Sequence, residues 1–379
     1  MKIKIIRMLT LFSMTIALIF ISVTNAGASA YSEALEEIGG GNLSQGLDDN
    51  TKNTLNSLGI DEDSYESIIN LSFSQVISQI IGMSQKESAA PLSSSALVLC
   101  LLLIYAVFDN FKDNLKSRNM QKISDAVFVL IITVSVSTPI LSVINRAVSS
   151  IENASSFMLL YIPVMVVALI TNGQAVTGAA YYSLVVMVSE GITWLSANFI
   201  APMLSVFLGV SVTSSVSSEI NMRGIVKELS KFIKWVIAFI MTVFSGLLTF
   251  KTLITTAADT VSTRAVRFTL SSFIPIVGSA LSEAYKTIQG SMSLLKTGLG
   301  VFVIISVIIV FLPVIINCLL WIISLNLTRG VSNMIGIKEP SYILEACSTV
   351  LSTLLVIILC IMAIYVVSTA IILTLGAAK

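Results

Sequence analysis

Histidine is absent from this chain of 379 residues, and charged side chains make up only 11% of it. Without histidine there can be no imidazole metal site, no Ser-His-Asp triad and no Cys-His dyad. About a quarter of a soluble globular chain is charged, so a surface of this composition cannot be mostly hydrated. With 55% hydrophobic residues and a mean hydropathy of +0.93, the chain is typical of a polytopic membrane protein.

Other patterns that carry chemistry are missing as well. The sequence has no Walker loop, no G-x-S-x-G, no HExxH and no Cys-x-x-Cys. We therefore expect no enzyme activity, no cofactor and no metal centre. There is no dense basic patch, which argues against nucleic acid as a partner. The few cysteines lie within apolar runs and are predicted to be packing residues: Cys100, Cys318, Cys347 and Cys360.

Residues 1–30 are predicted to be a signal peptide. Three basic residues precede an apolar run over residues 8–23, and residues 28–30 (Ala-Ser-Ala) match the A-x-A cleavage pattern. An uncleaved first transmembrane helix is the alternative, because the run is only slightly short for a span. Either alternative exports the residues that follow.

Residues 31–91 are predicted to be an acidic extracytoplasmic segment. Residues 31–90 contain ten acids and two bases, whereas residues 91–379 contain 11 acids and 17 bases. We predict an amphipathic helix over residues 63–81 that ends at Gly82. Its leading end is acidic rather than basic, which favours protein over lipid as its contact, either the chain's own membrane domain or an extracytoplasmic partner. The candidate docking face consists of Tyr65, Ile69, Phe73, Val76 and Ile80.

Residues 92–379 are predicted to be a multi-pass membrane domain. Clusters of Lys and Arg at 112–122 and 223–234 indicate two cytoplasmic loops, and an even number of crossings between them satisfies both. The region 255–297 could cross, re-enter or lie at the interface. The predicted fold class is an all-α membrane helix bundle with about eight transmembrane helices. Eight apolar runs are long enough to cross about 30 Å of hydrocarbon: 92–108, 123–144, 157–171, 180–199, 200–217, 232–254, 299–325 and 347–375.

Two stretches, 122–218 and 231–330, share a layout and are candidate internal repeats. Each has a basic start, an apolar helix, an Ile-Pro-aliphatic turn and a proline-broken helix. Duplicated, interrupted helices are common in transporters, where the breaks meet near mid-membrane. Because proline removes a helical hydrogen bond, we hypothesise a cavity at the predicted breaks. These are Pro163, Pro202, Pro275 and Pro313.

Ionisable residues within apolar segments are costly and are candidate pathway or packing groups. Glu190 and Lys251 each fall in a predicted span. Glu283 and Lys286 are three residues apart and could pair on one helix. Arg146 is predicted to lie at a helix end, from which its long side chain can reach the interface.

The stretch 264–284 (RAVRFTLSSFIPIVGSALSEA), followed by SLLK at 293–296, resembles the most characteristic block of the stage III sporulation protein AE family. The layout agrees as well, with an export signal, a short acidic exported segment, a multi-pass body and a short C-terminus. The exported segment cannot be matched residue by residue. The family has no assigned catalytic residues, and the matching signature consists of Phe273, Ile274, Pro275 and Gly278.

This resemblance implies a non-enzymatic membrane component of the channel-like complex between the mother cell and the engulfed forespore, which is required for endospore formation. The implied location is the mother-cell membrane around the forespore. Implied partners are the other membrane and exported proteins of the stage III complex, a cytosolic secretion-type ATPase and an Oxa1-type insertase, besides the lipid bilayer. The alternative function is a self-contained secondary transporter with a midplane site at the proline-broken helices.

Overall fold

The computed structural model describes residues 31, 35–36, 43–61, 67, 73–112, 118–216, 223–273, 278–336 and 338–375. The predicted signal peptide lies outside these ranges. The described residues are almost entirely helical and include no strand, which confirms the all-α prediction for them. A 3-10 turn at Leu43–Gly46 precedes the α-helices, and a π-helical turn at Ser196–Ile200 joins two of them. The α-helices are α1 (Asp49–Ser57), α2 (Phe73–Lys112), α3 (Arg118–Thr171), α4 (Ala175–Leu195), α5 (Ala201–Val216), α6 (Arg223–Phe273), α7 (Gly278–Ile335) and α8 (Lys338–Leu375).

Within the described part of the chain, six helical stretches are long and apolar enough to cross a membrane, rather than the eight that we expected. The difference arises because two pairs of apolar runs share a helix. Runs 123–144 and 157–171 both lie in α3, and runs 180–199 and 200–217 meet at the π-helical turn. The six candidate spans are Ser74–Asp109, Ala126–Thr171, Ala175–Val210, Glu228–Val266, Met292–Ile335 and Pro340–Thr374.

The polar stretch 145–156 does not interrupt α3, although we had assumed that it separates two spans. This stretch contains neither glycine nor proline, and Ala147, Ile151 and Ala154 give it a fully buried face at helical spacing. Packing of that face keeps the helix continuous over 54 residues, a length of about 80 Å at 1.5 Å per residue.

Helices α7 and α8 form the centre of the bundle. In each of these two spans 72% of the apolar segment is buried, against 22–39% in the other four. Their connection contains Gly336, whose φ of 88° lies in the left-handed region that glycine adopts without strain. Far from this connection along the two helices, Gly300 of α7 lets α7 and α8 approach closely, since a Cβ at this position would lie 2.5 Å from Cδ2 of Leu373 in α8.

The other long helices surround this pair, and α6 forms one outer face of the bundle. Its exposed side chains are strongly apolar, including Phe232, Trp235, Phe239 and Phe250. The rings of Phe232, Trp235 and Phe239 stack in sequence at centroid distances of 6.5 and 5.6 Å. Aromatic residues of this kind, flanked here by Lys231, are typical of the membrane–water boundary.

The structure does not confirm the internal duplication. The described residues of both candidate repeats are helical, but Pro163 lies inside α3 whereas its counterpart Pro275 falls between α6 and α7, outside the described residues. Pro313 lies inside α7, and Pro202 follows the π-helical turn directly. The predicted helix breaks at Pro163 and Pro313 are therefore wrong. In a membrane, neighbouring helices can satisfy the backbone groups that proline frees, so a helix can continue through it.

The N-terminal part of the described chain packs onto the membrane helices. We call residues 43–61 the head. Its 3-10 turn contacts α3, and α1 contacts α7. The apolar residues of the head that join the common core are Leu43, Leu47, Leu55, Leu58 and Ile60.

Helix α2 extends well beyond the point where we expected a helix to end. It begins at Phe73 and continues through Gly82 and Pro91 to Lys112, so the predicted end of the amphipathic helix at Gly82 is wrong. A glycine inside a helix costs only about 1 kcal/mol, and tertiary contacts of the following turns can outweigh this cost. Apart from Ser67, residues 63–72 of the predicted helix lie outside the described ranges.

Candidate functional site

A three-helix polar cluster links α2, α3 and α7. Glu87 of α2 accepts two hydrogen bonds from Arg146 of α3, at 2.9 Å from Nη1 and 2.7 Å from Nη2. It also accepts one at 2.6 Å from Nδ2 of Asn317 in α7. The side chain of Glu87 is 17% exposed and that of Arg146 is 48% exposed, while Asn317 is buried. The paired, parallel geometry of the Arg146 contacts makes this the strong form of a carboxylate–guanidinium interaction.

The sequence did not lead us to this cluster. We had placed Arg146 at a helix end, whereas it lies in the middle of α3. Glu87 belonged to the predicted extracytoplasmic segment, beyond the predicted helix end at Gly82, and Asn317 lies within a long apolar run. The sequence did indicate that the side-chain amide of Asn317, which lies in an apolar run, needs a hydrogen-bond partner within the membrane. Nothing in the sequence indicated which carboxylate would accept the hydrogen bond of this amide.

A polar cavity of about 330 Å³ lies beside the cluster, between the head and the membrane helices. One wall comes from the head, a second from a polar stripe of α3, and the third from an apolar segment of α7. Arg146 is already paired with Glu87, and Asp48 accepts a hydrogen bond from Thr51 at 2.5 Å. The remaining polar groups on the walls are hydroxyls and amides. The lining residues are Asp48, Asn50, Thr51, Thr54, Ser142, Asn145, Arg146, Ser149, Ser150, Asn153, Ile309, Val310, Pro313 and Val314.

Two of the predicted proline breaks lie at cavities, although the helices continue through them. Pro313 and the residue four positions earlier, Ile309, both line the polar cavity. Pro202 and Asn198, again four residues apart, both line an apolar cavity of about 350 Å³ between the π-helical turn and the start of α6. Proline cannot donate to the carbonyl four residues before it.

A second polar contact between helices fixes the start of α4. Both carboxylate oxygens of Asp259 in α6 accept backbone hydrogen bonds, from Val176 at 2.9 Å and from Thr177 at 2.8 Å. These N–H groups belong to the first turn of α4, where the helix provides no acceptor for them. Asp259 is only 3% exposed, and its charge is also favourably placed at the positive end of the helix dipole.

Of the four predicted pathway residues, the two whose side chains the structure describes do not meet inside the bundle. Glu190 and Lys251 lie on exposed faces of α4 and α6, and Nζ of Lys251 donates to Ser183 at 3.3 Å. Glu283 and Lys286 lie on α7, but the predicted pairing concerns side chains outside the described part of the structure. The roles of all four remain predictions.

The signature residues mark the junction of two helices. Phe273 is the last residue of α6 and Gly278 is the first of α7, and Ile274 and Pro275 lie outside the described residues. Thus the region that we left open, 255–297, is helical on both sides of this junction.

The predicted docking face is described only in part. Tyr65 and Ile69 lie outside the described ranges, and Phe73 begins α2. Val76 packs against the core, and Ile80 is half-buried. Neighbouring apolar residues remain open, with Ile77 40% and Ile81 53% exposed. The docking role itself stays a prediction.

A family model described as stage III sporulation protein AE matches residues 60–376, most of the chain. The chain belongs to the stage III sporulation protein AE family. The match includes the signature at the junction of α6 and α7 and excludes most of the head. A curated relative named stage III sporulation protein AE, from Bacillus subtilis (strain 168), is 22% identical over 204 residues. These cover 54% of this chain and 51% of the relative, so the chain spans about half the length of the curated family member that it matches. No solved structure matches the chain.

Proposed function

We propose that this protein is a non-enzymatic integral membrane subunit of the channel-like complex that joins the mother cell to the engulfed forespore. The observation that carries the proposal is the family match over residues 60–376. The six apolar helices support a place in a membrane, which we take to be the mother-cell membrane around the forespore. In this role the protein is required for endospore formation after engulfment.

The use of the polar groups supports a structural rather than a catalytic role. Glu87 binds two other helices, and Asp259 binds the start of α4. Ser230 of α6 and Thr353 of α8 are 2.7 Å apart and connect a further pair. Polar contacts of this kind fix the relative positions of membrane helices. A subunit that presents surfaces to several partners needs such a fixed arrangement.

The distribution of Lys and Arg supports an extracytoplasmic head. The basic clusters at 112–122 and 223–234 flank α3 and the α4–α5 pair, which contain two candidate spans. Two crossings return the chain to the same side, so both clusters can be cytoplasmic. The head precedes the first span and is then outside.

The orientation can be tested by cysteine labelling of sealed protoplasts from cells that express the chain in the cell membrane, where the head would face the reagent. In a background without native cysteines, Asn53→Cys in the head should react with a membrane-impermeant maleimide, since Asn53 is exposed. The matched variant Gly224→Cys, exposed at the start of α6, should react only after the cells are opened. The reverse pattern would contradict the proposed orientation.

A gene deletion in a sporulating host tests the function itself. We expect development to stop after engulfment while vegetative growth continues, and we expect the intact gene to restore sporulation. Copurification from sporulating cells should recover exported and membrane proteins of the stage III complex and a secretion-type ATPase. An Oxa1-type insertase should be recovered only during assembly. Sporulation at normal efficiency without the gene would refute the proposal.

The polar cavity beside Pro313 favours one alternative, a secondary transporter. For this alternative, Glu190→Gln together with Lys251→Met should abolish function at normal protein abundance. For a structural subunit the same pair should have little effect, because both side chains lie on exposed faces. Complementation of the deletion strain, with abundance measured by immunoblot, separates the two functions.

A further inference from the structure

One face of α4 carries buried hydroxyl groups along most of its length. Thr177, Tyr181, Ser189 and Ser196 are each at most 3% exposed. Thr177 and Ser196 are 19 residues apart, which corresponds to about 28 Å along a helix. This is close to the thickness of the hydrocarbon core of a membrane, about 30 Å.

Other helices supply hydroxyls that continue the series. Thr177 Oγ1 donates to Thr255 Oγ1 of α6 at 3.2 Å. The hydroxyl of Tyr181 lies close to those of Tyr161 in α3 and of Ser368 and Thr369 in α8.

The next level is formed around Tyr365 of α8. Its hydroxyl is 2.6 Å from Ser155 Oγ of α3 and lies close to Ser189. We call the complete set the hydroxyl ladder. It comprises Ser155, Tyr161, Thr177, Tyr181, Ser189, Ser196, Thr255, Tyr365, Ser368 and Thr369.

Several hydroxyls of the ladder make no hydrogen bond of good geometry, whereas groups that only hold helices together should be fully hydrogen-bonded. The hydroxyls of Tyr161, Tyr181 and Ser189 contact only other hydroxyls of the ladder, and in poor hydrogen-bond geometry, while Ser196 Oγ is buried without a partner. More than nine in ten buried polar groups in proteins have such a partner, and a buried hydroxyl without one is destabilising. Hydroxyls hold membrane helices together when they are paired across the interface, so poorly paired hydroxyls add little to helix adhesion.

Two irregular backbone elements adjoin the ladder. Pro163 lies two residues after Tyr161 in α3, where proline removes one helical hydrogen bond. At the far end, Ser196 is the first residue of the π-helical turn. Such single π turns often occur at functional sites and weaken the regular backbone pattern. The helices that close the ladder can therefore separate locally at a lower cost than regular helices.

Because the ladder carries no charged group, only certain kinds of solute could enter it. Its members include no carboxylate, ammonium or guanidinium group. The neighbouring Asp259 has both oxygens bound to the first turn of α4. Hydroxyls can donate to and accept from a neutral polar molecule, whereas an unpaired ion at this depth would lack a counter-charge.

We propose that the hydroxyl ladder is the closed form of a route through the bundle for water and small uncharged hydroxylated solutes, closed where Tyr161 meets Tyr181. This activity belongs to the chain itself and goes beyond its proposed role as a complex subunit.

The test uses the purified full chain in sealed liposomes. The variant Tyr161→Ala/Tyr181→Ala should raise the glycerol permeability roughly tenfold, because truncating buried aromatic rings destabilises the closed packing. The vesicles should still retain carboxyfluorescein, an anion. The matched control is Tyr182→Ala, the next residue along α4, whose side chain is 46% exposed. Glycerol permeability equal to that of the control, or release of the anion, would overturn the proposal.

A second measurement avoids the large truncations. Ser189 of α4 and Val303 of α7 are both fully buried, but only Ser189 belongs to the ladder, to which α7 contributes no residue. In a chain without native cysteines, Ser189→Cys should react with N-ethylmaleimide several times faster than Val303→Cys, because the reactive thiolate forms only where water enters. Equal rates would overturn the proposal. Neither measurement depends on sporulation, so failure here is distinct from failure of the subunit role.

Discussion

Replacing Glu87 with glutamine should destabilise the bundle measurably, because this one carboxylate connects three helices. A hydrogen bond to a charged group contributes about 1.5–3 kcal/mol when it is shielded from water. Arg146 is 48% exposed, so solvent screens its share of the interaction. Asn317 is buried and loses its charged acceptor. We therefore expect Glu87→Gln to lower the free energy of unfolding by about 2 kcal/mol.

A double-mutant cycle can isolate the contribution of the ion pair. Glu87→Gln, Arg146→Gln and the double variant would be compared in mixed micelles, with unfolding followed by circular dichroism as the fraction of denaturing detergent increases. We expect a coupling free energy of about 1 kcal/mol between Glu87 and Arg146, within the range for residues in direct contact.

The exposed pair Lys231–Glu228 provides the matched control. Its atoms are 2.5 Å apart, but the side chains are 57% and 69% exposed. Surface pairs of this kind contribute at most about 1 kcal/mol, so Glu228→Gln should change stability little. If Glu87→Gln were no more destabilising than Glu228→Gln, the argument that the three-helix polar cluster holds α2, α3 and α7 together would be refuted.

Two further changes test the packing at other contacts between helices. Gly300→Ala should lower the free energy of unfolding by about 1–3 kcal/mol, because the added Cβ overpacks against Leu373. The control Gly290→Ala, on the same helix, has open space around its Cβ and should be neutral or stabilising. Equal thermal stabilities of the two variants would contradict this argument. Asp259→Ala should lower the free energy of unfolding by about 1–2 kcal/mol, because it removes the acceptor of the first backbone N–H groups of α4. The control is Thr260→Ala, an exposed neighbour. Unchanged hydrogen exchange at the amides of the first turn of α4 would contradict this prediction.

The sequence predicted the class of fold and the locations of the apolar segments, but not how those segments are grouped. Where the structure describes them, the residues of all eight runs are helical. The error concerned residues 145–156, whose polarity suggested a loop. Their hydrophobic residues are spaced to give one buried helical face, and that face packs against other helices. Whether a polar stretch remains helical is decided by such tertiary contacts, which local composition does not reveal.

The polar cluster was not predictable for a similar reason. Glu87 lies 59 residues from Arg146 and 230 residues from Asn317 along the chain. Short-range spacing can identify pairs on one helix, such as the predicted Glu283–Lys286 pair, but it carries no information about contacts between distant helices. Pro202 and Pro313 each line a cavity, but the two cavities are separate, and a functional cavity at the proline positions stays a prediction.

The proposed orientation also assigns the partners to opposite ends of the bundle. Reducing the number of crossings between the two basic clusters from four to two leaves it even, so the proposal that both clusters face the cytoplasm is unaffected. In this orientation the head would be on the other side, and the polar cavity that it helps to form would be near the extracytoplasmic face. An exported partner could then reach the head and this cavity, whereas a cytosolic ATPase could reach the basic clusters but not the head. Substitutions in the head should therefore weaken binding of exported partners without affecting binding of the ATPase.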